Sequence, residues 1–460
     1  MLRQHVVKEK YAALSGDLGC LAHQQLIYTH KEGALAVTYD DSDIRTVRAL
    51  ILGPPETPYQ FGFFEFMITF GKDYPATPPS VRALTTNKGR CRFNPNIYAS
   101  GKVCLSILGT WRGEPGEEWS SAQGLESILI SIQSLLSNNP YENEPGYDKA
   151  HSDTAQDNEW KVSYVEKIRH ENLRIAVIEP LELSLGILPN GSAKIIAERA
   201  SEGDEADEED QKLSENDKPV VDKFADLRKR RFLWYFGSYI QTIDTADSDI
   251  SRKRRFQRMP FESQGNTMDG HFDYPELRRR MVLLREKIIC ETHNWLFEGI
   301  GVKEQDLGIA SNLQRQYEHI VEDLKRQRNF AVDLELVDTS PFLWAFTYFG
   351  RPMSHLDGGI FKFKIYISPR FPEEQPRVFV ETPIFHIRVS REGVLWYFPR
   401  RTDEMRYHIE AIVAALEEES PPYDPRTTVH PEATKLFWGS PEDRKRYHRA
   451  LRRSVEKSAE

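Results

Sequence analysis

The residues whose types and spacing could do chemistry lie in one short stretch: Phe93-Asn94-Pro95-Asn96, then Gly101-Lys102-Val103-Cys104-Leu105-Ser106-Ile107. The stretch lacks the periodicity of a helix or a long strand. In such irregular backbone a cysteine is expected to face solvent, where its thiolate is usable. A free thiol ionises near pH 8.5, so a small thiolate fraction exists at neutrality. That suffices when the substrate is already a thioester, because exchange between similar thioesters is nearly isoenergetic and needs proximity more than a strong base. A cysteine hydrolase would need a histidine oriented beside the thiol. Of the 13 histidines none lies between His30 and His151, which weighs against that chemistry. The other cysteines, Cys20, Cys91 and Cys290, are scattered, no CxxC pair occurs, and no spacing fits a zinc site. Neither a metal nor a cofactor is expected. A lone cysteine is by itself most simply a small buried hydrophobe, so its neighbours decide the reading.

Other elements must hold this stretch. Residues 3–14 read as a short charged helix, and apolar stretches around 21–28, 34–39 and 47–52 lead to a turn at Gly53-Pro54-Pro55. Phe64, Phe66, Ile68 and Phe70 alternate at period two, the pattern of a half-buried strand. Turn formers bound these pieces, which predicts an antiparallel meander. Further on, Leu125, Ile128, Leu129, Ile132, Leu135 and Leu136 fall on one helix face. Pro140 and Pro145 end that section, and a second helix carries Trp160, Tyr164, Val165 and Ile168. The sum is an α+β domain over residues 1–180.

Acidic residues outnumber basic ones by 70 to 61, for a net charge of −9, which argues against a general nucleic-acid binder. No apolar run of about 18 residues occurs, so no membrane span or membrane partner is expected. The charged N-terminus lacks the apolar region of a secretory signal, and scattered thiols fit a reducing compartment. The expected location is cytoplasm or nucleus. Residues 181–219 read as an acidic, disordered linker, whose stretch 202–217 holds nine acidic side chains and whose functional alternative is an acidic docking tail. Residues 220–300 read as a helical extension. Its clusters Arg228-Lys229-Arg230-Arg231 and Arg252-Lys253-Arg254-Arg255 read as solvated surface, with a nuclear import signal as the alternative.

The chain also repeats itself. Gly53–Thr85 aligns with Gly350–Thr382 at a constant offset of 297, with ten of 33 columns identical. The matches fall on Gly53, Gly62, Phe64, Phe66, Ile68, Pro75 and Pro79 and their counterparts. A second α+β domain over 305–460 follows.

Pro95, Asn96 and Cys104 fit a known pattern: a tight proline turn, an asparagine, and a cysteine eight residues later. The Gly53…Pro58-Tyr59…Gly62 turn, the Tyr74-Pro75…Pro78-Pro79 segment, and Trp119-Ser120 before a helix fit the same pattern in order and spacing. Over 1–180 the chain closely resembles the ubiquitin-conjugating (E2) family. The stretches Cys104–Trp111, Ile132–Leu136 and Asn139–Gly146 look like its Z subclass. Gly270-His-Phe-Asp-Tyr274 and the helix after it resemble, more weakly, that subclass's C-terminal extension over 220–290. The resemblance implies the UBC fold: an N-terminal helix, an antiparallel four-strand meander and C-terminal helices, here duplicated around a helical middle segment.

It also implies a chemistry. An activating enzyme passes ubiquitin or a ubiquitin-like modifier to Cys104, and a lysine of a protein substrate attacks the thioester. The side-chain amide of Asn96 steadies the developing oxyanion or holds the loop in shape. Where many relatives carry an acid near the attacking lysine this chain has Asn138, so Glu142 or Glu144 could supply it. Asn94 replaces a family histidine that is largely structural. Contact with activating enzyme and ligase falls on one loop with Ala76, where a bulky apolar residue is usual, and a second with Trp119, Ser121 and Ala122, where serine replaces a proline. In the second copy His386-Ile387-Arg388 stands for Asn94-Pro95-Asn96, and Trp396 stands for Cys104. Tryptophan cannot accept an acyl group, so this copy reads as a dead variant that packs on the first domain or stabilises a dimer, or that binds modifier, substrate or ligase. The tail helix from Pro441 to Val455 reads as a solvated basic face. The competing function is a non-catalytic ubiquitin-pathway scaffold with both copies as docking modules.

Overall fold

The computed structural model describes residues 28–30, 34–40, 42–113, 115–147, 154–193, 222–249, 254–262, 268–304 and 308–460. The helix expected over 3–14, Cys20, the acidic stretch 202–217, and Arg252 with Lys253 lie outside them.

Leu35–Asp40 (β2), Asp43–Leu52 (β3), Phe63–Thr69 (β4) and Ser80–Ala83 (β5) form the expected antiparallel meander, and Tyr28–His30 (β1) adds a short fifth strand beside β2. Leu125–Leu135 (α1) and Ala155–Glu171 (α2) follow, α2 opening on a capping box between Thr154 and Asp157. The helix runs on through a π-helical stretch, Asn172–Ile178, into Glu179–Leu185 (α3). Pro180 has no N–H to donate to the preceding turn, and the wider pitch falls where that rung is missing. One face of α1 packs Ile128, Leu129 and Ile132 on Phe64, Phe66 and Ile68 of the sheet.

The half-buried strand read from period two is corrected: both faces of β4 are covered. Ala225–Asp249 (α4) and Tyr274–Glu304 (α5) pack on the outer face, where Phe61 stacks on Tyr235 at 3.9 Å and the Tyr239 hydroxyl donates to the Phe61 carbonyl at 2.8 Å. Glu65, on this outer face, is buried between Arg48 and Arg228. The cluster at 228–231 is therefore not solvated surface. Arg228 meets Glu65 at 2.6 Å and Asp222 at 2.5 Å, Lys229 meets Glu291 at 2.5 Å, and Arg230 meets Asp226 at 2.9 Å. Arg231 is buried with its guanidinium 4.7 Å from the Trp234 ring centre. Buried charge is costly unless paired, and this run has its partners inside the fold rather than presenting itself to an import receptor.

The second sheet is Val332–Leu336 (β6), Leu343–Phe349 (β7), Ile360–Tyr366 (β8) and Arg377–Val380 (β9), preceded by Ile309–Arg326 (α6) and followed by Met405–Glu417 (α7), Pro431–Phe437 (α8) and Pro441–Ser458 (α9). The offset of 297 holds in space. Ile51 pairs with Phe64 as Tyr348 pairs with Phe361, and Tyr74-Pro75 and Phe371-Pro372 are both cis. A Cβ on Gly53 or Gly350 would lie 1.8 or 1.7 Å from the carbonyl oxygen of Tyr59 or Leu356, so both turns require glycine. In α9, Tyr447, Leu451 and Val455 are buried and most of the basic side chains face out, as read.

α4 lies between the copies. Trp234 donates its indole N–H to the Leu395 carbonyl at 2.9 Å, and the Tyr235 hydroxyl donates to that of Arg426 at 2.7 Å. The Gly270–Tyr274 motif locks onto the end of α2: the backbone N–H of Asp273 donates to His170 Nε2 at 3.0 Å, with Phe272 and Tyr274 edge-on to that ring. The proton of a neutral His170 is therefore on Nδ1, facing Glu171 at 3.0 Å.

Candidate active site

The segment after β5 is irregular, as expected, but stitched at every turn. Ile97 bridges Val103, and the Tyr98 N–H donates to the Lys102 carbonyl and the Gly101 N–H to the Tyr98 carbonyl, both at 2.9 Å. Gly101 closes this turn at φ 91°, with a Cβ position only 2.7 Å from the Ala83 carbonyl. The small hairpin 96–104 presents Cys104 at its end.

Asn96 and Cys104 meet there. The Cys104 N–H donates to the Asn96 carbonyl at 2.8 Å, and the Asn96 side-chain amide donates to the Cys104 carbonyl at 3.3 Å. Asn96 thus holds the backbone of Cys104, and its amide is beside the residue that would carry an acyl group. Asn94 is fully buried; its amide donates to the Leu135 carbonyl at 2.8 Å and its oxygen accepts the Asn96 N–H at 2.8 Å. That is a scaffolding role.

Cys104 does not face solvent. It is 2% exposed, which corrects the expectation drawn from irregular backbone. Within the hairpin the Tyr98 ring is held by Arg92, 4.4 Å from its centre, and Lys102, 5.9 Å away. Cys91 joins the apolar cluster behind the sheet, as do Val103 and Leu105 on either side of Cys104. Burial pushes the Cys104 thiol above its ordinary value, while the charges of Lys102 and Arg92 and the nearby Tyr98 hydroxyl pull the other way. Burial raises the Cys91 thiol well above the ordinary range, and the charge of Glu171 adds to that rise.

The acid candidates separate. Glu144 pairs with Arg92 at 3.1 Å, and burial raises its carboxyl against the pull of that guanidinium. Glu142 pairs with Lys161 at 3.4 Å. Asn138 lines a different recess of about 220 Å³, with Glu56, Gln60, Arg169 and Asn172. Asn143 instead reaches the loop, its amide 3.4 Å from the Asn94 oxygen and 3.2 Å from the Leu135 carbonyl. The two loops expected to contact activating enzyme and ligase come together: the half-buried Trp119 donates its indole N–H to the Pro75 carbonyl at 2.8 Å, beside exposed Ala76, Ser121 and Ala122.

Sequence reading missed Tyr98, Arg92, Lys102 and Asn143. The signal for Arg92 was a charge between Cys91 and Phe93, in a run otherwise destined for the core, which must find a partner. Tyr98 and Lys102 were marked by the glycine turn between them. Asn143 carried no signal short of the fold.

The second copy keeps the same backbone. Val389 bridges Leu395, and the Trp396 N–H donates to the Arg388 carbonyl at 2.8 Å. Gly393 closes the turn at φ 78°. Its tryptophan is 6% exposed and packs with Val394 on α4. Among the described residues no group of three His, Cys, Asp or Glu could hold a metal ion, and no helix is long and apolar enough to cross a membrane.

Sequence comparisons relate the chain to known proteins. Ubiquitin-conjugating enzyme E2 Z of Homo sapiens is 35% identical over 275 residues, 58% of this chain and 62% of that protein. The Xenopus tropicalis protein of the same name is 49% identical over 157 residues, 34% of this chain and 47% of its own. Human BIRC6, a dual E2 ubiquitin-conjugating enzyme/E3 ubiquitin-protein ligase, is 42% identical over 147 residues, 32% of this chain and 3% of that one. The chain thus spans less than two thirds of the length of each of these relatives. Among solved structures, the E2 domain of a Toxoplasma gondii ubiquitin conjugating enzyme covers 38% of this chain and 99% of its own, with 26% identity and a TM-score of 0.27. The family model described as Ubiquitin-conjugating enzyme matches residues 22–171 and again 312–397. With both copies matched, over more than half of its length, the chain belongs to the ubiquitin-conjugating enzyme family.

Proposed function

We propose that the chain is an E2 acyltransferase that accepts ubiquitin or a ubiquitin-like modifier on Cys104 and passes it to lysines of protein substrates. The Cys104 thiolate attacks the carbonyl carbon of the thioester on an activating enzyme. A new carbon–sulfur bond forms, and the activating enzyme's thiolate leaves. A neutral lysine amine then attacks the same carbon, Cys104 departs as thiolate, and the amine's extra proton goes to solvent or a nearby base. An isopeptide bond results. The developing negative oxygen is stabilised by an amide donor, for which Asn96 is the residue at hand.

The observation that carries this reading is the reciprocal backbone and side-chain pairing of Asn96 with Cys104 in the first copy, against Arg388 with Trp396 in the second. The activating enzyme and a ligase are further partners, through the surface formed by Ala76, Trp119, Ser121 and Ala122. That surface has small side chains where anchors dominate affinity, which favours weak or unusual ligase contact. The test is charging: activating enzyme, ATP and modifier should give an adduct on the chain that thiol reductant removes and Cys104→Ala abolishes.

A second reading, a non-catalytic scaffold, is favoured by one observation, the 2% exposure of Cys104. On the catalytic reading the thiol is uncovered as the modifier docks. Modifier binding without charging by any activating enzyme selects the scaffold.

A further inference from the structure

The helical extension does more than join the copies. Residues 254–262, after α4, return to the first copy and lie along α2. The buried ammonium of Lys167 meets Glu262 and also donates to the Gln257 carbonyl at 2.8 Å, while Ser163 donates to the Gln257 side chain at 2.7 Å. These bonds fix the segment, and with it the Phe261 ring, edge-on to Tyr164 at 5.4 Å and Tyr147 at 5.7 Å.

Phe261 faces Arg92. The guanidinium lies 5.7 Å from the Phe261 ring centre on one side and 4.4 Å from the Tyr98 ring centre on another. It also donates to the Pro95 carbonyl at 2.5 Å and to Glu144 at 3.1 Å. Both bonds leave from Nη2 and tie the guanidinium to the turn that precedes Asn96, with the Tyr98 ring against its face.

We propose that Phe261 and Arg92 are positioning residues for Cys104: the segment from outside the first α+β unit seats the guanidinium that ties down the Pro95 carbonyl, next to the Asn96 that pairs with Cys104, and holds the Tyr98 ring of the same hairpin. The chain of contact is Phe261, Arg92, Pro95-Asn96, Cys104. The charged and titratable groups facing the thiol are Lys102, Arg92 and the Tyr98 hydroxyl. Those around the guanidinium are Glu144, Tyr98 and Tyr164, whose hydroxyl donates to the Arg92 carbonyl at 3.4 Å, with the Lys167–Glu262 pair behind Phe261. The proposal rests on Cys104 being the working thiol.

The test is the pH profile of Cys104 alkylation by iodoacetamide, read by peptide mass on the full chain so that exposed Cys290 does not interfere. Removing a nearby positive charge raises a thiol's titration midpoint. Arg92→Met, which keeps the stem, should raise it by about half a pH unit or more. Phe261→Leu, uncharged and one residue removed, should raise it in the same direction, and Phe261→Tyr should restore it. The Arg92→Met/Phe261→Leu pair should shift no further than Arg92→Met alone, since residues acting through one another are not additive. If Arg92→Met does not fold, Arg92→Lys, which keeps charge but loses the planar face, takes its place in the same cycle. A midpoint unmoved by Phe261→Leu, or shifts that simply add, overturns the brace. Charging tells the two readings apart: a coupled cycle in a chain that never charges leaves the brace and sinks the transferase. Normal charging with an uncoupled cycle does the reverse.

Discussion

Arg388 lays its guanidinium 4.5 Å from the ring centre of Trp396, and these two residues occupy the places that Asn96 and Cys104 hold in the first copy. The backbone between them is unchanged, while the chemistry is gone. The guanidinium is tied to the Thr427 carbonyl and to Glu418 at 2.5 Å, and Trp396 turns to Trp234 of α4 at 6.0 Å. The degenerate loop has become part of the junction between the copies, which favours the packing role over a modifier-binding role for this surface.

Restoring the thiol there should not restore the chemistry. A Cys104→Ala/Trp396→Cys variant should take no modifier in a charging reaction, because the site faces α4 rather than an open approach. Trp396→Ala should cost about 3–5 kcal/mol, the usual loss on emptying a large aromatic site, read as a lower urea midpoint. A reductant-sensitive adduct on the double variant would show that the loop opens and that the packing role is misassigned.

Asn96→Ala should leave charging nearly intact and slow discharge to free lysine by about 10²-fold, the scale of one lost oxyanion donor. Exchange between thioesters has less need of that donor than attack by an amine. Single-turnover discharge measures it. Equal loss in both steps would mean that Asn96 only shapes the hairpin, through its 3.3 Å bond to the Cys104 carbonyl.

The second copy should be acid-sensitive. His408 is buried, hydrogen-bonded to the Tyr397 hydroxyl at 3.1 Å, and burial brings it down to about 4. Burial likewise lowers His386 and His430. A lowered histidine means that the unfolded chain binds more protons, so stability is full above the ordinary histidine range and falls as pH drops towards the folded value. His408 alone accounts for about 3 kcal/mol of that loss between pH 6.5 and about 4. Urea midpoints across this window should fall more steeply for the native chain than for His408→Gln, with fluorescence of Trp344 and Trp396 reporting the second copy. Equal slopes would remove His408 as the cause.

Much of this was legible before the structure. Period two on Phe64, Phe66 and Ile68 gave a strand, one-sided leucines and isoleucines gave α1, and the offset of 297 gave the second sheet, because these patterns are local. The outer face of β4 was not legible: Phe61, Phe63 and Glu65 find their partners in Tyr235, Tyr239 and Arg228, more than 160 positions away. The basic run at 228–231 was misread for the same reason, since a charge looks solvated until its carboxylate appears. At the site, motif spacing singled out Cys104 and Asn96, which the hairpin brings together. Neither the burial of the thiol nor the stack of Arg92 on Tyr98 could be read from spacing, because both depend on how the hairpin folds back. The approach of Asn143 to the loop depends on a short 3-10 turn, Pro140–Asn143, that periodicity does not resolve.

The central claim is that one sulfur, on Cys104, carries the modifier. Intact mass of the chain after charging tests it most directly. The account predicts a single modifier that thiol reductant removes from the native chain, and that Cys104→Ser retains through reductant as an ester lost in mild base. A variant lacking Cys20, Cys91 and Cys290 should charge as the native chain does. A reductant-sensitive adduct that survives Cys104→Ala, or that vanishes only when those three cysteines are removed, would contradict it.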